Sequence, residues 1–281
     1  MNSLLWEPPL SLIEKSKIKQ FMQELNEKHE ISLDTYHDLH KWSIDNFEKF
    51  WMEFISFSGI LFSGVPNPVI DNPTKMPGAK WFKNVRINFA ENLLKYNSKE
   101  IAIESYNESN NRVIITYAEL NERVTSLHGF LKSIGIREGD RVAAIIPNIP
   151  EAIIMMLASS SLGAIWTSCS PDFGANAILD RFEQISPKVL LVADGYNFKG
   201  KYFPISEKVE FVCNKLDSLV AIVSVDYIES YIYSDNQCEV YQWDNVVTSF
   251  TDSSIIFKRF PFDHPLYIMY SSGTTGKPKS I

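Results

Sequence analysis

The chain has 281 residues, of which 45% are hydrophobic and 22% charged, a balance typical of a globular protein with one large or two smaller domains. Its formal net charge of -7 argues against a surface that binds nucleic acid, so a phosphate-bearing ligand would need a local site. The three cysteines, Cys169, Cys213 and Cys238, show no Cys-x-x-Cys spacing. They predict neither a zinc site nor a disulfide scaffold, and they fit a reducing compartment.

The first residues lack the features of a targeting sequence. The segment "MNSLLWEPPLSLIEKSKI" has no basic start, no long apolar run and no small-residue cleavage site. The most apolar stretch, from Ala152 to Trp166, is too short to span a bilayer. We therefore expect a cytoplasmic protein without a membrane-spanning segment.

The first third of the chain is predicted to be mainly helical. Residues 9–30 and 35–55 carry apolar side chains near helical spacing, with charged residues between them. Four prolines then punctuate residues 59–80, which indicates irregular structure. We assign residues 1–95 to a helical amino-terminal extension.

From residue 101 onwards, short apolar strands alternate with helical segments. "AIES" and "VIITY" predict a hairpin, and Thr116 with Glu119 has the spacing of a capping box at a helix start. A second helix is predicted to begin at Pro150 and to end at Gly163. Strand–helix–strand alternation favours βαβ units. The fold class is therefore α/β, and residues 96–281 form a mostly parallel βα-layered sheet domain that we expect to be truncated.

The last twelve residues, "YSSGTTGKPKSI", have the composition of a loop that binds phosphate. Glycines allow successive backbone N–H groups to converge on one anion, while Ser and Thr hydroxyls and Lys add donors and positive charge. The spacing matches neither a Walker A loop nor a Gly-x-Gly-x-x-Gly motif. A flexible linker is the alternative, but linkers rarely follow a buried strand directly, and we expect "PLYIMY" to be such a strand.

This loop resembles the phosphate loop of the adenylate-forming superfamily, which includes acyl-CoA synthetases. The superfamily motif continues with Gly where this chain has Ser280. The resemblance implies that the loop holds the ATP phosphates that leave as pyrophosphate, whereas Lys277 occupies a variable position and is expected to face solvent. The implied ATP site consists of Ser272, Gly273, Thr274, Thr275, Gly276 and Lys279.

Two further segments narrow the resemblance to one branch of the superfamily. "MPGAKWFKNVRINFAENLL" is similar to a segment of acetyl-CoA and acetoacetyl-CoA synthetases, and "SCSPDFG", residues 168–174, is similar to acetoacetyl-CoA synthetases. The resemblance implies that acetoacetate, ATP and CoA give acetoacetyl-CoA, AMP and diphosphate through an acyl-adenylate, with assistance from Mg²⁺. The alternatives are another short-chain acyl-CoA synthetase and a non-catalytic binding fragment.

The same resemblance implies a site for CoA. Lys199 and Lys201 would meet its 3′-phosphate, although two solvated surface lysines are the alternative interpretation. Ser170, Asp172 and Gly174 would line the pantetheine tunnel, and an ordinary βα turn is compatible with the same residues. Trp166 either packs in the core or shapes the acyl pocket. We interpret Asp180, Arg181, Glu183 and Gln184 as a solvated helix face.

Members of this family are more than twice as long as the chain. We therefore expect the chain to be the amino-terminal part of a longer enzyme and to be inactive alone, with the catalytic residues downstream of Ile281. Its expected partners are the small-molecule substrates and the missing carboxyl-terminal part, and self-association is a further expectation. We expect no metal site, because His37 and His40 lack further ligands nearby.

Overall fold

A computed structural model describes residues 5–108, 110–228, 238–250, 254–271 and 276–281 of the chain. The chain forms two compact units, of which unit 1 comprises Met1–Arg86 with Pro261–Asp263, and unit 2 comprises Ile87–Phe260 with His264–Ile281. The domain boundary at residue 95 stays a prediction. Among the described residues, every helix is too short or too polar to cross a membrane.

The amino-terminal unit contains short helices followed by very short strands. Each predicted helical stretch forms two helices instead of one. The Ser16 hydroxyl accepts a hydrogen bond from the Lys19 backbone N–H at 3.2 Å and starts a new helix, and Asn46, with φ of -129°, separates the next pair. The elements are α1 Leu10–Glu14, α2 Lys17–His29, α3 Tyr36–Asp45, α4 Phe47–Ser58, β1 Phe62–Gly64, β2 Ile70–Asp71, β3 Lys80–Trp81 and β4 Val85–Ile87.

Two small apolar clusters hold this unit together. The first joins α2 and α3 and buries Phe21, Met22, Leu25, Leu33 and Leu39. The second lies between α4 and the strands and buries Ile55, Val69, Phe82 and Val85.

The second unit alternates strands and helices. The elements from α5 onwards are α5 Phe89–Leu93, β5 Ile101–Tyr106, β6 Arg112–Thr116, α6 Tyr117–Ser133, β7 Arg141–Ile145, α7 Pro150–Ser161, β8 Ile165–Cys169, α8 Ala175–Phe182, β9 Val189–Ala193, β10 Gly195–Phe198, β11 Lys201–Pro204, α9 Ser206–Cys213, β12 Ala221–Val225, β13 Glu239–Gln242, α10 Trp243–Ser249, β14 Phe260–Pro261, β15 Tyr270–Ser271 and β16 Lys279–Ser280.

A parallel sheet with strand order β13-β12-β9-β7-β8 forms the centre of this unit and confirms the predicted fold class. Side chains alternate across β7, so that Val142 and Ala144 join a cluster with α6, α7 and α10. Ala143 and Ile145 join a second cluster with α8 and α9 on the opposite face. Because helices cover both faces, the central strands β7, β9 and β12 are mostly apolar.

The local signals in the sequence are confirmed. The Thr116 backbone N–H donates to the Glu119 carboxylate at 2.7 Å, and the Glu119 N–H donates to the Thr116 hydroxyl at 3.2 Å, so a capping box starts α6. The predicted hairpin forms from β5 and β6. Pro150 begins α7, and Gly163 follows its end with φ of +74°.

The segment "PLYIMY" is not the buried strand that the sequence predicts. It runs beside β8, where Trp166 N donates to Leu266 O at 3.1 Å and Ile268 N donates to Trp166 O at 2.9 Å. Its side chains alternate between partial burial and exposure, and Met269 is 66% exposed. The segment lies beside β8 and pairs at Met269 with Ile281, and only alternate residues pack inward.

Candidate functional site

The two ends of the candidate phosphate loop are held together as an antiparallel pair. Strands β15 and β16 align Ser271 with Lys279 and Tyr270 with Ser280. Beyond them, Met269 N donates to Ile281 O at 3.0 Å, and Ile281 N donates to Met269 O at 2.8 Å. Ser271 and Lys279, at the two ends of the loop, therefore lie side by side. Four residues of the candidate ATP site lie outside the described residues, namely Ser272, Gly273, Thr274 and Thr275.

The described part of the loop has two features that are compatible with the predicted phosphate site. Gly276 has φ of +130°, a backbone conformation that side-chain-bearing residues rarely adopt. Lys279 is exposed, and none of the described carboxylates forms an ion pair with it. Lys277 is 69% exposed, but its Nζ lies 2.8 Å from Asp180 Oδ1. This hydrogen bond raises the pKa of Lys277.

Helix α8 and the residues directly after it contact both arms of the loop. The Tyr270 hydroxyl donates to Arg181 O at 3.2 Å. On the returning arm, Gln184 Nε2 donates to Pro278 O at 2.9 Å, and the Ser280 hydroxyl donates to Gln184 Oε1 at 3.0 Å. Glu183 and Gln184 are exposed, as a solvated face predicts, and Asp180 and Arg181 are half-buried, so this face is solvated and also holds the loop. The sequence carries no signal for these contacts, because the partners are far apart in the chain.

A cavity of about 490 Å³ lies beside the first arm of the loop, at the carboxyl end of β8. Open α/β sheets commonly bind ligands at this end of their strands. Trp166 is 7% exposed and belongs to the core, as one interpretation predicts, and it also lines this cavity; its part in an acyl pocket stays a prediction. Ser170, from the predicted pantetheine segment, lines the same cavity.

Arg181 is the one ionised side chain among the described residues that line this cavity. Its guanidinium carbon lies 4.9 Å from the ring centroid of Phe173 and 5.6 Å from that of Tyr270. Burial raises the pKa of Cys169 to about 11 and that of Tyr270 to about 12, so both groups stay protonated at neutral pH. The cavity therefore suits an anionic ligand, and Cys169 is a poor nucleophile there.

The remaining predicted CoA residues are distributed over two places. Asp172 is exposed in the turn after β8, and Gly174 is the N-cap of α8. Lys199 and Lys201 are exposed on the β10–β11 hairpin, where Lys199 has φ of +51°. The structure thus places Ser170 at the cavity beside the loop, whereas Lys199 and Lys201 are not among the described residues that line it.

Comparison with known proteins gives matches along the whole chain. Residues 89–281 match the family described as AMP-binding enzyme, and residues 36–93 match the acetyl-coenzyme A synthetase N-terminus. The chain is 38% identical to acetoacetyl-CoA synthetase of Xenopus tropicalis, with 99% of this chain and 42% of the relative covered. It is 35% identical to malonamoyl-CoA synthetase of Penicillium aethiopicum, with 100% and 40% covered.

The fold is also similar to a solved structure, acetoacetyl-CoA synthetase from Streptomyces lividans. The TM-score is 0.92 at 34% identity, covering 100% of this chain and 43% of that chain. The chain thus spans less than half the length of these relatives. Since the family match extends over most of its residues and includes the loop, the chain belongs to the AMP-binding enzyme family.

Proposed function

We propose that the chain is the amino-terminal part of an AMP-forming ligase that makes acetoacetyl-CoA from acetoacetate, ATP and CoA. Acetoacetate and ATP first form an acyl-adenylate and diphosphate, and the CoA thiol then displaces AMP. The observation that carries this proposal is the similarity of the whole chain to acetoacetyl-CoA synthetase from Streptomyces lividans. The cavity next to the loop supports it, because one guanidinium among neutral walls suits an anionic acid or phosphate.

The loop would hold the ATP phosphates that leave as diphosphate. In phosphoryl chemistry, a protein contributes mainly by positioning the phosphates and stabilising their charge. The loop residues assigned to this task are Ser272, Gly273, Thr274, Thr275, Gly276 and Lys279. Lys279 supports the assignment, because it is exposed at the returning end of the loop and no described carboxylate pairs with it.

Mg²⁺ would enter as its complex with ATP. The described residues contain no cluster of three His, Cys, Asp or Glu side chains that could hold a metal ion by themselves. A phosphate-bound Mg²⁺ needs few protein ligands, because it retains several waters. The described residues thus fit an Mg²⁺ ion that the protein and ATP coordinate together, with the phosphates supplying much of the coordination.

CoA would contact two parts of the chain. Ser170, Asp172 and Gly174 lie in the turn that borders the cavity and would line the pantetheine path. Lys199 and Lys201 would meet the 3′-phosphate, which a flexible CoA can place at a distance from the cavity. The alternative for these exposed lysines is that they are simply solvated.

A second candidate substrate is malonamate, which is favoured by the similarity to malonamoyl-CoA synthetase. Malonamate differs from acetoacetate only by an NH₂ group in place of the terminal methyl group. A pocket that admits one acid therefore has nearly the right volume for the other, and its hydrogen-bond partners decide between them.

Pyrophosphate exchange tests the proposal. The protein expressed from its complete gene is assayed with ATP and acetate, propionate, butyrate, acetoacetate or malonamate. We expect the highest kcat/KM with acetoacetate, and a preference for another acid would refute this assignment. The 281-residue chain alone should show no exchange above a Lys279→Ala control, because it spans about 42% of its relatives. We also propose a cytoplasmic location, which fractionation of cells would test.

A further inference from the structure

We propose that Gln184 and Ser280 form a latch that positions Lys279 in the phosphate loop. The inference rests on the proposed function of this loop, and it identifies the side chains outside the loop that fix its geometry. Gln184 is a positioning residue here, since its contacts are to the neighbours of Lys279.

The latch uses both ends of one amide side chain. Gln184 Nε2 donates to Asp180 O at 2.6 Å and to Pro278 O at 2.9 Å, and Gln184 Oε1 accepts from the Ser280 hydroxyl at 3.0 Å. Carbonyl groups in the last turn of a helix have no partner within the helix. Gln184 satisfies one of these carbonyls and links the end of α8 to the loop.

The two loop residues that Gln184 contacts are the ones on either side of Lys279. Their positions set the direction of the Lys279 backbone, and the pairing of Lys279 with Ser271 sets its register. A second contact lies two residues earlier, where Lys277 pairs with Asp180 at 2.8 Å. This pair is exposed and so contributes little by itself. The Gln184 hydrogen bonds are exposed as well, and it is the combination of these contacts that holds the returning arm at Lys277, Pro278 and Ser280.

The latch also accounts for the departure of this chain from the superfamily motif. The motif has Gly at the position of Ser280, and a glycine has no hydroxyl to donate to Gln184. The Ser280 hydroxyl thus provides a contact that the usual residue cannot make. Fixing the loop in advance strengthens ligand binding, because less conformational freedom is lost when the ligand binds.

The direct test uses inorganic pyrophosphate with Mg²⁺ as the probe and the complete 281-residue chain as the protein. Calorimetry measures its affinity for wild type, Gln184→Ala, Ser280→Ala and the double variant. Each single substitution should weaken binding by about threefold to tenfold, the range for one hydrogen bond. The double variant should be about as weak as Gln184→Ala alone, because that substitution already removes the partner of the Ser280 hydroxyl. Ser280→Thr, which keeps the hydroxyl, should restore wild-type affinity.

Two comparisons separate positioning from general stability. In a Lys279→Ala background, Gln184→Ala should have no further effect on pyrophosphate affinity, since its action passes through Lys279. Gln23→Ala, a substitution of an exposed helical glutamine in unit 1, should leave the affinity unchanged. Equal affinity of wild type and both single latch variants would overturn the proposal.

Amide hydrogen exchange tests the latch independently of the ligand. Residues 276–281 should exchange faster in Gln184→Ala and Ser280→Ala than in wild type and Ser280→Thr. Unchanged exchange would overturn the latch even where pyrophosphate binds. If wild type does not bind pyrophosphate but the exchange rates change as expected, the proposed function of the loop fails and the latch stands as a structural contact.

Discussion

The ring of Phe260 packs against Gly163 and fills the space that a side chain at this position would need. A Cβ atom at this position would lie 2.4 Å from Phe260 Cζ, and the glycine has φ of +74°. Both the backbone conformation and the packing therefore require glycine at the end of α7.

Gly163→Ala should therefore strongly destabilise the protein. Left-handed strain contributes about 1–2 kcal/mol and overpacking against the ring about 1–3 kcal/mol. Urea unfolding measures the loss. Gly135→Ala is the matched control, because Gly135 has φ of +83° but a Cβ atom there would meet nothing within 4 Å. Equal losses in the two variants would show that the contact with Phe260 is unimportant.

Stability should also depend on the protonation of His128. Ser161 Oγ donates to Ala158 O at 2.6 Å, so it accepts from His128 Nδ1, which lies 2.7 Å away. Burial, with a smaller effect of Lys132, lowers the pKa of His128. The unfolded chain therefore binds a proton below about pH 6.5 more readily than the folded protein does.

The expected result is a loss of stability as the pH falls from about 6.5 towards the lower folded-state pKa of His128. One proton contributes a slope of at most about 1.4 kcal/mol per pH unit. Denaturant unfolding at several pH values measures the slope in wild type and in His128→Asn, where it should be shallower. Identical slopes would exclude His128 as the group responsible.

The 281-residue chain should self-associate through the exposed side chains of residues 266–270. Met269 is 66% exposed and Tyr267 is 37% exposed, although the Met269 backbone already pairs with Ile281. Exposed apolar side chains favour association between chains, and a lysine among them opposes it. Size-exclusion chromatography with light scattering should detect a dimer or larger species.

Met269→Lys should shift this equilibrium towards the monomer. Met76→Lys is the matched control, because Met76 is 99% exposed and belongs to unit 1. A sharp monomer peak for wild type, together with a cooperative melt, would contradict the prediction. If both substitutions had an equal effect, the change would be due to net charge and not to the position of Met269.

The sequence predicted those features that are determined by neighbours along the chain. The capping box of Thr116, the ends of α7 and the apolar parallel strands depend on local spacing and burial pattern, and the structure confirms them. The interruption at Asn46 was missed, because the apolar spacing continues through it and conceals the change in backbone direction.

The motif in the sequence predicted the candidate loop, but it did not predict the side chains of α8 and the following residues that contact the loop. The glycine, hydroxyl and lysine pattern identified the candidate loop, but no local signal links Gln184 to Ser280 or Arg181 to Tyr270. Such contacts arise only once the sheet brings α8 beside the final hairpin. Residues 180–184 have the composition of a solvated helix face, so their role depends on tertiary structure.

Lys279 should act mainly in the first of the two half-reactions. In the full-length enzyme that we propose, diphosphate leaves during adenylation, so a residue that binds it has nothing to stabilise during thioester formation. Loss of one charge-assisted donor from a preorganised site costs about 2.7–4 kcal/mol, or roughly a hundredfold to a thousandfold in rate. Lys279→Ala should slow adenylation by about this factor.

The two steps can be measured separately, by pyrophosphate exchange and by CoA consumption from synthetic acetoacetyl-adenylate. Lys277→Ala is the matched control from the same loop. Its ion pair with Asp180 is 69% exposed on the lysine side, and exposed pairs contribute only about 0–1 kcal/mol, so its effect should be several-fold at most. If Lys279→Ala slowed both half-reactions equally, the loop would serve the structure of the enzyme and would not bind the departing diphosphate.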